Sequence, residues 1–270
     1  MRTTNFICAS ITSLALLAPI GEAMAQEQAP GKFTAEDKTA IEEIIHNYLI
    51  NNPQVIYEAA QRANELEQQA AEEKARQAST AVRPVDANDH VQGDPDAAIH
   101  VIEYSDFECP FCKSFHPTMQ RAFEEYGKSG ELAWVYRHFP LDSIHSKARK
   151  EAQASECAAE LGGNEAFWNF ASKLFEIAPS NNQLDLAILP DIAQGIGLDR
   201  AKFEACLSGD ERGGKYADHI ESDLQNAVAA GGTGTPYTVV VAANGKTFPI
   251  NGALPYRAVK EIIDLALAEK

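Results

Sequence analysis

Apolar residues recur at helical spacing along residues 34–79, and they predict two helices before any strand. Thr34-Ala35-Glu36-Asp37 resembles a capping box, with Asp in place of the usual Glu or Gln, and begins the first helix. Asn51-Asn52-Pro53 ends it, and Pro53 suits the first position of a second helix that ends near Ser79. The apolar positions are Ile41, Ile44, Ile45, Tyr48 and Leu49, then Val55, Ile56, Ala59, Ala60, Ala63 and Leu66. Two helices without a sheet bury little surface alone, so residues 26–80 form either a flap or solvated tail, or an oligomerisation stalk.

The pattern changes after residues 81–95, a Pro- and Gly-containing segment without periodicity that is expected to be a linker. Beyond it, the pattern predicts strands at 98–105, 131–138, 237–242 and 246–250, helices at 110–126 and 255–269, and a helical insertion at about 145–229. Asn244-Gly245 is a strong hairpin turn between the last two strands. This order of elements is typical of a thioredoxin fold, an α/β domain over residues 96–270 with several helices inserted between its second and third strands.

The first 25 residues have the pattern of a cleavable signal peptide. Arg2 supplies positive charge, residues 7–20 are mostly apolar, and Ala23-Met24-Ala25 is an A-x-A cleavage site, so the mature chain is expected to begin at Gln26. The apolar run is short for a membrane span, which leaves an uncleaved anchor as the alternative. The sequence therefore predicts export to an oxidising compartment, which is the periplasm in a Gram-negative bacterium.

The net charge of −16 is unchanged by removal of residues 1–25, because Arg2 and Glu22 leave together. A strongly acidic chain is a poor partner for nucleic acid. The sequence contains no phosphate loop, nucleotide fingerprint or hydrolase triad, and we predict neither a cofactor nor a metal.

Four of the five cysteines lie beyond the signal segment, and an even count in an exported protein suggests two disulfides. Cys109-Pro110-Phe111-Cys112 follows a predicted strand at the first turn of a helix. A helix N-terminus favours the thiolate form of Cys109, which is expected to be the exposed cysteine, and a thiolate that attacks another disulfide performs thiol–disulfide exchange. Half of a zinc site has the same spacing, and a purely structural disulfide is a further alternative.

Cys157 and Cys206 are left as a second, long-range pair. A disulfide between them closes a loop of roughly 50 residues and stabilises the fold by about 4 kcal/mol. The alternatives are two free buried cysteines or a second redox relay.

Thr235-Pro236 stands just before a predicted strand and after a glycine-rich turn. In a thioredoxin-like sheet this position faces the C-x-x-C pair, and a proline there is typically cis. Because proline has no N–H, the preceding backbone stays free to pair with a substrate strand. An ordinary trans proline that opens a strand is the alternative.

Three motifs in this order resemble the DsbA family of thiol–disulfide oxidoreductases over roughly residues 95–270. They are Glu103-Tyr104-Ser105-Asp106-Phe107-Glu108-Cys109-Pro110-Phe111-Cys112, Arg137-His138-Phe139-Pro140-Leu141 and Gly234-Thr235-Pro236. The resemblance implies Cys109 as nucleophile, Cys112 as buried resolving cysteine, and Thr235-cis-Pro236 as the loop that faces the substrate. Ser155-Glu156-Cys157-Ala158-Ala159 and Phe203-Glu204-Ala205-Cys206-Leu207 resemble the helical cysteine pair of one branch of that family, which implies a structural role for Cys157 and Cys206.

The N-terminal segment Tyr48-Leu49-Ile50-Asn51-Asn52-Pro53-Gln54-Val55-Ile56-Tyr57-Glu58-Ala59 resembles ScsC-type, copper-tolerance-associated relatives of DsbA. That resemblance implies a homo-oligomer, a dimer or trimer through residues 34–79, and disulfide isomerase activity as the alternative to simple oxidase activity. The expected partners are reduced or misoxidised exported client proteins and a membrane redox protein. The alternative function is a copper(I)-binding protein that uses the reduced thiols of Cys109 and Cys112.

The residues around the cysteine pair refine this picture. Phe111 stands where strongly oxidising relatives have His, and it supplies neither charge nor a hydrogen bond, so we expect a less depressed pKa at Cys109. Glu103 ends the first strand and, if buried, relays the proton of Cys112; the alternative is a side chain in solvent. His116 is expected at the surface or rim, and His138 is expected to pack at a strand end rather than to act in catalysis.

Overall fold

The structure is a computed structural model that describes residues 33–208 and 214–269. The expected signal peptide, residues 1–25, lies outside the described residues. The chain divides into two compact units, Met1–Ala63 and Asn64–Lys270. Among the described residues, no helix combines the length and the apolar character needed to cross a bilayer.

Helix α1 (Ala35–Asn51) begins at the predicted capping box. The hydroxyl of Thr34 accepts a hydrogen bond from the backbone N–H of Asp37 at 3.1 Å, and the Asp37 carboxylate accepts one from the backbone N–H of Thr34 at 2.9 Å. Both bonds satisfy donors that a helix N-terminus leaves free. Helix α2 (Pro53–Ser79) begins at the predicted proline.

Most apolar side chains of α1 are exposed in the part of the chain that the structure describes. None of its residues is buried, and Ile44 and Ile50 are 68% and 65% exposed. Ile56 and Tyr57, at the start of α2, are also exposed. Exposed apolar stripes of this kind are typical of surfaces that pack against another molecule.

The second unit contains a five-stranded sheet in the order β1-β3-β2-β4-β5. The strands are β1 (His90–Gln92), β2 (Ile99–Ser105), β3 (Leu132–His138), β4 (Tyr237–Val241) and β5 (Thr247–Asn251). Strands β2 and β3 are parallel, and the other neighbours are antiparallel. The predicted thioredoxin fold is thereby confirmed, with one additional strand, β1, at the edge.

Helices cover both faces of the sheet. They are α3 (Pro110–Ala122), which continues as one π turn over Phe123–Gly127, α4 (Ala148–Ile177), α5 (Leu189–Gly195), α6 (Arg200–Leu207), α7 (Ala217–Ala229) and α8 (Tyr256–Ala268). The larger apolar core includes Phe115 and Met119 of α3 with Ile263 of α8. The smaller core lies on the other face and joins Ala227 of α7 to Ile102 and Val239.

Residues 81–95, expected to be a linker, belong to the second unit and contact Arg137 of β3. The buried Arg137 guanidinium donates to both Asp89 carboxylate oxygens, at 2.7 and 2.8 Å, and also to the carbonyls of Arg83 and Pro84. Strand β1 then pairs with β3 in antiparallel register, with His90 opposite Tyr136. The segment is therefore ordered by contacts with residues about fifty positions away along the chain, which its own composition does not reveal.

The helical insertion lies between β3 and β4. Gly163 interrupts α4 with a φ of 74°, a backbone conformation that favours glycine. The aromatic residues after this point pack inward as predicted: Phe167, Trp168, Phe170 and Phe175 are all buried. A disulfide joins Cys157 of α4 to Cys206 of α6, so two helices of the insertion are covalently linked.

Candidate active site

Cys109 and Cys112 flank the N-terminus of α3, where Cys109 is the N-cap residue and Pro110 the first helical residue. Both thiols are free and both residues are buried. The expectation that Cys109 is exposed is wrong, because the residue is only 3% exposed and its sulfur packs against the Thr235 backbone. Phe111 between them is 64% exposed and forms the outer surface of the site.

The two thiols have opposite acidities. The Cys112 thiol and the backbone N–H groups of Phe111 and Cys112 donate toward the Cys109 sulfur, and they lower the pKa of Cys109 to about 6 although burial opposes this. Burial raises the pKa of Cys112 well above its usual value, and the charges of Cys109 and Glu103 add to the effect. Near neutral pH the pair therefore holds one thiolate, at Cys109, and one thiol beneath it.

The Thr235–Pro236 peptide bond is cis and faces the cysteine pair. The Sγ atom of Cys109 lies 3.4 Å from the carbonyl oxygen of Thr235. Pro236 is buried and Thr235 is half-buried, and β4 begins at the next residue, Tyr237. The structure therefore brings together the two segments that the sequence analysis assigned to one site, about 125 residues apart along the chain.

Glu103 lies in the central strand β2 and is completely buried, which excludes the alternative of a side chain in solvent. The indole N–H of Trp134 donates to its Oε2 atom at 3.0 Å, and its Oε1 atom has no hydrogen-bond partner among the described residues. Burial raises the pKa of Glu103 to about 7. A carboxyl group that titrates near neutral pH beside the Cys112 thiol has the properties of a proton acceptor and donor for that thiol.

Asp106, Glu108 and Glu151 form a second group of acidic residues near Cys109, which the sequence alone did not indicate. The Asp106 carboxylate accepts hydrogen bonds from Glu108 N at 2.9 Å and from His145 Nδ1 at 2.7 Å. The Glu108 carboxylate accepts from the backbone N–H of Asn182. Burial, reinforced by Glu108, raises the pKa of Glu151 to about 10. No local pattern marks Glu151, because its proximity to Glu108 arises only when α4 packs against the site.

The loop that contacts Glu108 has an unusual backbone. Ser180, Asn181 and Asn182 all have positive φ, between 53° and 64°. Asn tolerates this region better than most residues. The backbone N–H of Asn181 donates to the Glu108 carbonyl at 2.9 Å, so the loop holds the residue that precedes Cys109.

The two histidines considered from the sequence both lie in the core. The expectation that His116 is a surface residue is wrong, because it is 4% exposed and packs between Trp134 and Phe175, where burial lowers its pKa to about 4. His138 is buried at the end of β3, as expected, and its Nε2 atom lies 2.8 Å from Glu156 Oε1.

Two family models match the chain. The model described as Thioredoxin matches residues 85–265, which is more than half of the chain. The model described as Copper resistance protein ScsC N-terminal domain matches residues 37–73.

Individual proteins extend this comparison. The Na(+)/H(+) antiporter NhaA 3 of Salinispora tropica is 35% identical over 170 residues, which cover 63% of this chain but only 22% of the antiporter. The crystal structure of α-DsbA1 from Wolbachia pipientis is 26% identical with a TM-score of 0.60, and the alignment covers 71% of this chain and 96% of that one.

A linker-deletion variant of ScsC from Proteus mirabilis aligns over 90% of this chain and 100% of its own, at 21% identity and a TM-score of 0.53, and shows a shared fold. The Thioredoxin match, the free C-x-x-C pair and the cis proline agree with the structural likeness to DsbA. The chain therefore belongs to the thioredoxin family, among its DsbA-like members, and carries a ScsC-type N-terminal segment.

Proposed function

We propose that this protein is an exported thiol–disulfide oxidoreductase that forms or rearranges disulfides in client proteins through Cys109 and Cys112. The observation that carries the proposal is the position of the Cys109 sulfur, which lies 3.4 Å from the carbonyl of Thr235 beside a cis proline. An extended client strand that pairs with this backbone brings its own sulfur to Cys109. The low pKa of Cys109 makes its thiolate a good leaving group, which favours oxidation of the client.

In the oxidase direction, a client thiolate attacks the Cys109 sulfur of the Cys109–Cys112 disulfide. A mixed disulfide forms at Cys109, and Cys112 leaves as a thiolate that takes a proton from Glu103. A second client thiolate then attacks the client sulfur of the mixed disulfide, which forms the client disulfide and releases the Cys109 thiolate. The client loses two electrons and the cysteine pair gains them, so a membrane redox partner must reoxidise the pair.

In the isomerase direction, the resting state is the dithiol. The Cys109 thiolate attacks a wrong client disulfide and releases one client thiolate. That thiolate attacks a second disulfide in the same client, and the rearranged client finally expels Cys109 without net oxidation. The exposed apolar stripe of α1 supports this role, because an assembly of several copies presents several cysteine pairs to one client.

Refolding of ribonuclease separates the two activities. Reduced ribonuclease reports oxidation by the oxidised protein, and scrambled ribonuclease without added oxidant reports isomerisation by the reduced protein. Cys109→Ser should abolish both, whereas Cys112→Ser should accumulate the mixed disulfide. Conversion of Ser114 to Ala, in the same helix, serves as the control with unchanged activity. Full activity of Cys109→Ser contradicts the proposal.

We further propose that residues 34–79 assemble the protein into a dimer or trimer. The proposal rests on the exposed apolar side chains of α1, a helix with no buried residue among those that the structure describes. Light scattering should give the mass of an oligomer for the mature chain and of a monomer for Ile44→Glu/Ile45→Glu. A mature chain that is monomeric at micromolar concentration overturns this assembly.

Export places both activities in an oxidising compartment, the periplasm in a Gram-negative source, where reduced and misoxidised exported proteins are the clients. Residues 1–25 carry this proposal through their signal-peptide pattern. Fractionation of cells that express the full-length chain should recover the protein beginning at Gln26 in the periplasmic fraction. Recovery of a chain that still begins at Met1 in the cytoplasm contradicts it.

A second candidate function is copper(I) binding by the reduced pair, favoured by the description of the N-terminal family model as a copper resistance protein. Two thiolate sulfurs suit a soft ion such as Cu(I). Competition with a chromophoric Cu(I) chelator should show one bound ion, lost in Cys109→Ser/Cys112→Ser. Tight binding by a protein that turns over no disulfide substrate favours this candidate over the first.

A further inference from the structure

Three histidines converge on one buried carboxylate, away from the cysteine pair. Glu156 Oε1 lies 2.8 Å from His90 Nε2, 2.8 Å from His138 Nε2 and 3.6 Å from His219 Nε2. The four residues come from β1, β3, α4 and α7. Burial opposes ionisation of Glu156, but the hydrogen bonds from His138 and His90, with the His219 imidazole nearby, outweigh it and hold the pKa of this carboxyl well below its usual range.

The surrounding residues hold the imidazole rings in place. His90 stacks on Phe167 with ring centroids 3.6 Å apart and an interplanar angle of 9°. The same phenyl ring meets His138 edge-on, with centroids 6.2 Å apart. Ring orientation is thus set by the packed aromatic core and not by the hydrogen bonds to Glu156 alone, which is the preorganisation that a ligand set requires.

We propose that His90, Glu156 and His219 form a site for a divalent transition-metal ion of the zinc or copper(II) type. Their ligand atoms all lie within 4.8 Å of one another. His138 lies outside this group and keeps its contact with the carboxylate, so water takes the fourth position. Two imidazole nitrogens and one carboxylate oxygen are a ligand set typical of zinc sites with three protein ligands.

The dimensions fit an ion after a small adjustment. Zinc bonds to nitrogen and oxygen measure about 2.0–2.2 Å, which separates tetrahedral neighbours by about 3.4 Å. The 3.6 Å between His219 and Glu156 already matches this spacing, whereas His90 must move from 2.8 Å by about half an ångström. Such a shift is within reach of a side-chain torsion.

An ion also has a route to this site. The side chain of His219 is 21% exposed, while the carboxylate and His138 are nearly covered. His90 borders a surface cleft of about 470 Å³ that Asp89, Asn164 and Ala159 also line. The buried Asp223 carboxylate lies 3.7 Å from His219 Nε2 through one oxygen and pairs with the Arg83 guanidinium at 3.1 Å through the other.

Binding of the ion requires the ligating imidazoles to rearrange or release protons. Each ligating imidazole must present a nitrogen lone pair, so the proton that now points from Nε2 toward Glu156 moves to Nδ1, or leaves to solvent if the ring is charged. Glu156 stays ionised throughout. No bond between heavy atoms is formed or broken in the protein, and no electron is transferred.

The test uses the mature protein with Cys109→Ser/Cys112→Ser, so that thiolates do not bind the probe. Titration with Zn²⁺ alone, by calorimetry and by competition with a chromophoric chelator, should give one ion per chain. His219→Gln should weaken binding at least tenfold, because one of three ligands is lost at the most exposed position. His90→Gln should do the same, and His46→Gln, on the exposed face of α1, should leave affinity unchanged.

Loading with Cu²⁺ provides a readout independent of affinity. The electron paramagnetic resonance spectrum should show coupling to imidazole nitrogens, and His219→Gln should remove one coupled nitrogen. Near-ultraviolet circular dichroism should show that each variant retains the native fold. Zinc affinity that is unchanged in both His219→Gln and His90→Gln overturns the proposal. Binding of several ions that 0.5 M salt abolishes also overturns it, because it shows that zinc binds non-specifically to the acidic surface.

Discussion

Trp134 donates its indole N–H to Glu103 over 3.0 Å, and this bond fixes a buried acid on β2 to the neighbouring strand β3. The second carboxylate oxygen of Glu103 accepts no hydrogen bond within residues 33–208 and 214–269. That oxygen is available to a proton shared with the Cys112 thiol, whose pKa Glu103 raises. Glu103 thus acts on the chemistry of Cys109 only through Cys112.

When the reduced protein reacts with a model disulfide, Cys112 gives its proton to Glu103 and attacks the Cys109 sulfur of the mixed disulfide. We predict that Glu103→Gln slows this release of the mixed disulfide by about 100-fold, since general acid–base catalysis contributes on this order. The pH profile of disulfide exchange should also lose its inflection near pH 7, where the Glu103 carboxyl titrates. Stopped-flow fluorescence of Trp134 against a model disulfide measures both quantities. Glu176→Gln, at an exposed position of α4, is the matched control; a variant with an unchanged pH profile shows that Glu103 does not carry the proton.

Glu103 also makes stability depend on pH. Its pKa is raised in the folded protein, so between about pH 4.5 and pH 7 the folded chain binds a proton that the unfolded chain has released. The free energy of unfolding should therefore fall as pH rises through this range, and Glu103→Gln should lose this dependence, a difference of about 3 kcal/mol. Urea denaturation at pH 4.5 and pH 7.5 compares the two proteins. Parallel pH dependence would falsify the assignment.

Phe111→His should lower the pKa of Cys109 below its value of about 6. A charged imidazole within a few ångströms favours the thiolate and shifts such a pKa by about 1–2 units. Because the Phe111 side chain is 64% exposed, the substitution should leave the fold intact. Thiolate absorbance at 240 nm measures the pKa, with Phe111→Leu as the control. A wild-type value near 3.5 contradicts the proposed site.

Removal of the disulfide in Cys157→Ala/Cys206→Ala should lower the free energy of unfolding by about 4 kcal/mol, because the two residues are 49 positions apart and the unfolded chain gains the entropy of that loop. Exchange activity at 25 °C should persist, since the disulfide joins α4 to α6 while the reactive pair lies at α3. Guanidinium denaturation and insulin reduction measure the two effects. Loss of exchange activity in a folded variant indicates a redox relay instead.

Asp89→Ala should destabilise the protein by about 3–5 kcal/mol, because it leaves the guanidinium of Arg137 buried without its carboxylate. Burial opposes ionisation of Asp89, but Arg137 holds its pKa below the usual range, so the ion pair weakens only in acid. Asp86→Ala, in the same segment but more exposed, should cost less than about 1 kcal/mol. Chemical denaturation distinguishes them; equal effects mean that residues 81–95 are not held by Arg137.

Most of the elements that the sequence predicted correctly depend on patterns among residues close together in the chain. Strands β2, β3, β4 and β5 lie within one or two residues of their predicted bounds, because alternation and continuous apolar runs are local signals. The three-residue strand β1 is too short for such a signal, and it forms because Arg137 binds Asp89 next to it.

In the candidate site, too, local motifs could be predicted from the sequence, whereas contacts between residues distant in the chain could not. The C-x-x-C spacing and Thr235-Pro236 are local motifs, and their meeting follows from the thioredoxin order of elements. The pairing of Glu108 with Glu151, and of Glu156 with three histidines, depends on how α4 packs against the sheet. No spacing in the chain encodes that packing, so these groups emerge only in the folded structure.

The Cys157–Cys206 link also changes what a broken chain looks like. A protease cut between these positions, for example near Gly195 at the end of α5, leaves both fragments joined in one molecule. Such nicked protein migrates at full length on a denaturing gel until a reductant is added. Gels run without reductant therefore conceal cleavage between Cys157 and Cys206. Paired gels with and without reductant reveal both the cut and whether the Cys157–Cys206 disulfide is formed.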